Sequence, residues 1–125
     1  MLEENIVAML KADTALAALV VNRIYPLTLP QESELPAIRY TMISSRPTTT
    51  HDGDSGLATA LFQFDCFAAT YTAAKALAAA LRATLSGTSD LSRGIHAAIL
   101  TATADRQNTD TGHRWVEMEI RVTYE

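Results

Sequence analysis

Between Gly56 and Gly87 the chain changes its hydrophobic period once, and that change restricts the possible folds more than any other feature. In the first half, Ala58, Ala60, Phe62, Phe64 and Cys66 alternate with Leu57, Thr59, Leu61, Gln63, Asp65 and Phe67. A period of two predicts a strand with one face in a core and a mixed opposite face. In the second half, Ala74, Leu77, Ala78, Leu81 and Leu85 fall on one helical stripe, with Lys75 and Arg82 on the far side. Thr70 or Thr72 suits the N-cap of that helix, and Gly87 suits a left-handed exit. A strand feeding an alanine-rich helix through a few residues is therefore the organising unit.

Apart from Lys75, Arg82 and the threonines, the helix is apolar on more than one face. Alanine's high helix propensity explains the helix itself. The favoured reading lays it flat on its own sheet; the alternative places a second alanine face against another subunit, because uncharged faces are seldom left in water.

On the N-terminal side, Leu2, Ile6, Met9 and Leu10 fit a short amphipathic helix, with Glu3 and Glu4 at its start and Lys11 at its end. Asp13 is a candidate N-cap for a second short helix carrying Leu16, Leu19 and Val20. In the segment from Arg23 to Pro30, Pro26 and Pro30 remove two donors, so it reads as an edge strand or irregular extended chain. Ile38, Tyr40 and Met42 alternate with Arg39 and Thr41 in a half-buried strand. The polar stretch from Arg46 to Gly56 reads as a hairpin loop longer than the connection requires. After a second polar connector, Ile95, Ala97 and Ile99 alternate with His96, Ala98 and Leu100. A turn from about Ala104 to His113 then leads to the last strand, with Val116, Met118, Ile120, Val122 and Tyr124 inward and Trp115, Glu117, Glu119, Arg121 and Thr123 outward. The expected architecture is α+β: one domain over residues 1–125, a mainly antiparallel sheet of four to five strands, one long helix packed on it, and a short N-terminal helical pair.

A formal charge of −4 over 125 residues argues against a phosphate-gripping surface. The single cysteine, Cys66, excludes an internal disulfide and, in phase with Phe62 and Phe64, reads as a small core hydrophobe. No apolar run reaches membrane length and no targeting segment is visible, so a soluble, cytoplasmic protein is expected.

Catalytic constellations are sparse. His51, Asp52 and Asp54 form the one cluster that suggests a metal, but their spacing matches no specific ligand pattern, and such residues in a Thr/Gly loop are ordinarily turn formers. No serine sits on a strand-to-helix elbow, and no glycine loop cradles phosphate. Glu117 and Glu119 read as a solvated face balanced by Arg121, not as an acid pair. Trp115, heading that face, is either a contact anchor or a side chain covered by a loop. The reading is therefore of no catalytic residues, no metal and no cofactor, with Arg46, Thr49, His51, Asp52, Asp54 and Trp115 as candidate subunit or partner contacts.

The residues also carry a resemblance. The order of elements, with Arg23–Pro26, Leu35–Tyr40 and Phe64–Leu81 as its most specific parts, is similar to the small tail-completion (tail-to-head joining) proteins of long-tailed bacteriophages and prophages. The Asp65-Cys66 pair followed by Ala68-Ala69-Thr70-Tyr71 and Ala74-Lys75-Ala76-Leu77 belongs to that pattern. The resemblance implies a structural protein, monomeric or weakly associated alone, assembled in the bacterial cytoplasm. In the virion it implies a hexameric ring between head connector and tail tube, surrounding the DNA path, with no catalytic residues, no sequence-specific nucleic-acid contact and no membrane contact. A tail terminator of similar size is the alternative within the class. A small hydrolase or nuclease using the His51/Asp52/Asp54 loop, and a stand-alone regulatory binding domain, are the alternatives outside it.

Overall fold

The computed structural model describes residues 2–30, 33–50, 53–108 and 112–125. Two helices come first, α1 (Leu2–Ala12) and α2 (Thr14–Val20), followed by the strands β1 (Ile24–Pro26), β2 (Ala37–Thr50) and β3 (Gly53–Ala68). Helix α3 (Tyr71–Leu85) follows, then β4 (Thr88–Asp90), a 3-10 turn (Leu91–Arg93), β5 (Ile95–Asn108) and β6 (His113–Tyr124). The strands form one sheet in the order β1-β2-β3-β6-β5-β4, antiparallel except for the parallel β1–β2 pair.

Local chemistry accounts for the elements. Asp13 caps α2 by accepting the Leu16 amide at 2.9 Å, and Thr70 caps α3 by accepting the Ala73 amide at 3.1 Å. Past α3, Gly87 adopts φ +78 and donates its amide to Ala98, a left-handed exit that glycine makes without strain. The proline-bearing β1 lies at the margin of the sheet, where a missing donor costs no ladder bond.

One face of the sheet carries the core. Ala60, Phe62, Phe64 and Cys66 of β3 and Val116, Met118, Ile120 and Val122 of β6 are buried there against Ala74, Leu77, Leu81 and Leu85 of α3. The rings of Phe62 and Phe64 stack at 5.9 Å. Burial pushes the Cys66 thiol well above its usual range, with the neighbouring Asp65 charge adding to the effect, so the thiol stays neutral and behaves as an apolar side chain.

Four expectations need correction. Among the described residues there are six strands, not four to five: the second polar connector contains β4, an edge strand too short to show a period. No single long helix dominates. Leu2, Ile6 and Leu10 of α1 and Leu16 and Val20 of α2 join the same core as the 15-residue α3, so three helices share the cover. The stretch from Arg46 to Gly56 is strand up to Thr50 and again from Gly53, because backbone pairing between facing strands needs no apolar side chain. In β5 the expected alternation fails. Register shifts at Ile95/Ala97 and Leu100/Ala102 bury Ile95 and Ala98 together and turn Ile99 outward, as bulges do.

Because Phe64 and Leu81 are fully buried where α3 crosses the sheet, Phe64→Ala and Leu81→Ala should each lower the unfolding free energy by ~2–5 kcal/mol. Lys75→Ala, at an exposed position, should change it far less in the same urea titration. Equal losses would mean that α3 presents a different face.

Candidate functional site

The face of the sheet opposite the helices carries the least expected feature. Asp65, three residues from the end of β3, is 1% exposed. Its carboxylate accepts from Arg39 on β2, with Nε at 2.9 Å and Nη2 at 2.7 Å, both to Oδ2. The amide of Gln63 donates to its Oδ1 at 3.1 Å. Register explains the meeting, since Arg39 stands directly across from Asp65 on one side and Glu117 on the other. Two facing carboxylates repel, and here each has its own arginine: Glu117 accepts from Arg106 Nε at 2.8 Å. Arg121, expected to balance the glutamates, is not the partner of Glu117.

The guanidinium of Arg39 also lies 5.1 Å from the centroid of Phe67 and 6.0 Å from that of Trp115, and those two rings are 5.2 Å apart. His113 meets Phe67 edge-on at 5.9 Å. Trp115 is therefore half-buried within this cluster, not standing free among charges. A cleft of about 160 Å³ beside it is bordered by Thr28, Leu29, Arg39 and His113. Asp65 and Arg39 are the residues that the sequence reading missed. The available signal was an aspartate inside the most apolar strand, with an arginine at the matching position of its neighbour.

A second polar contact ties α3 to β5. Asp105 accepts from Lys75 Nζ at 2.6 Å and from the Tyr71 hydroxyl at 2.8 Å. Those hydrogen bonds, Lys75 first, hold the Asp105 carboxyl below its ordinary 3.8. The same bond to Asp105 raises Lys75 above its ordinary 10.5.

The other candidates are dispersed. Arg46 is exposed on β2 opposite Thr59, and Thr49 and Asp54 face each other across the β2–β3 pair. His51 and Asp52 lie outside the described residues. Trp115 sits with the Arg39 cluster, at the far end of β3 from Arg46. On α3, Ala76, Ala79 and Ala83 form the exposed alanine stripe anticipated above. Among the described residues no three metal-ligating side chains converge, and no helix is long and apolar enough to cross a membrane.

Residues 4–125 match the family described as "Tail completion protein gp17". The chain belongs to that family and is a structural tail component. No curated protein matches the sequence significantly. Among solved structures, its fold is similar to that of a chain in the "Virion of native gene transfer agent (GTA) particle". That likeness has a TM-score of 0.69 and 24% identity, over 96% of this chain and 91% of the other.

Two measurements test this polar framework. Asp65→Ala, which strands Arg39, should cost about 3 kcal/mol, whereas Arg39→Met with Asp65→Leu should recover most of that loss in thermal unfolding. The Lys75–Asp105 contact should stabilise α3 throughout the interval in which both groups are charged. Its contribution should vanish as pH falls below 3.8 through the folded-state value of Asp105, or rises above 10.5 through that of Lys75. The stability difference between wild type and Lys75→Met should therefore be constant between those limits and close beyond them. A difference that persists in acid would contradict the assignment.

Proposed function

We propose that this protein completes the tail at its head-proximal end, several copies forming a ring, hexameric by family resemblance, between the head connector and the tail tube. It acts there as a non-catalytic joint, at the head–tail interface of a particle assembled in the host cytoplasm. The observation that carries this reading is the family match along nearly the whole chain. The likeness to a virion chain supports it, and so does a net charge of −4, since a DNA conduit works best when its wall does not grip phosphates.

In this reading the distal part of the β2–β3 hairpin supplies a contact element. β6 ends its pairing with β3 at Ala58, and β1 ends its pairing with β2 at Tyr40. Beyond Pro47, β2 and β3 thus continue as a two-stranded ribbon among the described residues, with Thr49 and Asp54 on it and Arg46 at its base. Such a ribbon gains little stability by itself and is suited to ordering against a neighbour. Together with His51, Asp52 and, at the opposite end, Trp115, these residues are the proposed contacts.

The test replaces residues 47–56 with a tight two-residue turn. The shortened chain should fold with a near-native melting temperature, while particles stall as separate heads and tails of normal length. Fully infectious particles would refute the arm as a contact, and tails of uncontrolled length would point to a terminator instead.

A further inference from the structure

The sheet has two open margins. β1 pairs with β2 only from Ile38 to Tyr40, so among the described residues no strand covers the outer edge of β2 from Thr41 to Thr50. β4 pairs with β5 only between Ile95 and Ala98, and the Leu100 amide is taken by Ser86 Oγ at 3.2 Å. From Thr101 to Gln107 no strand among the described residues covers the outer edge of β5. Such edges present rows of unpaired backbone donors and acceptors, which proteins usually guard with lysine, proline or charge. Neither open segment contains lysine, and Thr41–Ser45 and Thr101–Ala104 contain no charge or proline.

The two margins are complementary. Three successive antiparallel pairings separate β2 from β5, so the two strands run in opposite directions. Each open segment is the C-terminal part of its strand, so the two lie at opposite ends of the sheet as well as on opposite sides. Large exposed apolar side chains stand near the start of each open segment: Leu27 (68% exposed) and Ile43 (47%) at the β2 margin, and Ile99 (46%) two residues before the open part of β5. Where β1 stops, Pro26, Leu27, Tyr40, Thr41 and Met42, with Glu3 of α1, border a groove of about 370 Å³ next to the β2 edge.

We propose that the open edge of β2 in one copy pairs antiparallel with the open edge of β5 in the next, so that neighbouring sheets become continuous. The inference rests on the ring reading above and assigns the surfaces that build the ring. A contact between two different surfaces is heterologous and generates a ring when its rotation closes. Pairing β2 with β2 would stop at a dimer and leave the β5 margin, with Ile99, in water.

The test places cysteines at Ser44 and Ala102. Both residues are exposed and stand on the helix-free face, opposite Leu61 and Glu119 respectively. The native thiol, Cys66, is fully buried and silent. Particles assembled with the S44C/A102C chain are treated with a short flexible bismaleimide and run on a denaturing gel. A ladder of chain multiples is expected from the double variant and none from either single variant. Particles whose micrographs show a ring but whose gels show no ladder would overturn the edge pairing and leave the ring standing. Dimers from S44C alone, or cross-links to a different virion protein, would also overturn it. Absence of any ring at the joint would overturn the ring itself. Independently, Ile43→Lys should keep the wild-type melting temperature and reduce joined particles about tenfold; an unchanged yield counts against the proposal.

Discussion

The structure depends on the C-terminal part of β3 being buried on both faces. Towards the helices, Phe62 and Phe64 fill the space beneath Leu77 and Leu81. Towards the open face, Asp65 and Phe67 are almost as inaccessible, at 1% and 2% exposure. A strand enclosed on both sides fixes its neighbours, because a slip of one residue would drive Asp65 into the aromatic core and Phe64 out of it. The register of β2 and β6 against β3, and through them the place of α3, follows from that single penalty.

The charge arrangement on the open face follows from the same register. Asp65 and Glu117 stand opposite each other in the register that puts the apolar faces of β3 and β6 on the same side of the sheet. The repulsion is relieved by Arg39 from one flank and Arg106 from the other. Replacing such ion pairs with apolar groups is often neutral for stability, so their clearest effect is on specificity: they penalise misregistered sheets. Arg39 is shared further, resting on Phe67 and within reach of Trp115, which ties the aromatic end of the sheet to its polar middle.

Where β3 leaves its second neighbour, the chain stops behaving as a core protein. The helices cover only one face of the sheet, and among the described residues β1 and β4, at three residues each, leave most of the β2 and β5 margins without a neighbouring strand. Edges of that length invite pairing. In the pairing proposed above, these are the edges that neighbouring copies cover.

The sequence by itself determined the elements whose information is local. Asp13 and Thr70 as caps, the helical stripe from Ala74 to Leu85, the alternation of β3 and β6, and the marginal place of the proline-bearing β1 all follow from neighbours within a few residues. Family membership was legible too, in motifs spread along the chain. Tertiary structure alone decided what depends on partners distant in sequence. Strand pairing converted the polar stretch around Arg46 and Thr49 into a ribbon, because facing backbones satisfy each other whatever their side chains. The bulges in β5 turned Ile99 outward, since curvature of the whole sheet, not local composition, sets where an extra residue is inserted. The pairing of Arg39 with Asp65 joins positions 26 residues apart, and only the register of β2 on β3 brings the charge and its counter-charge together.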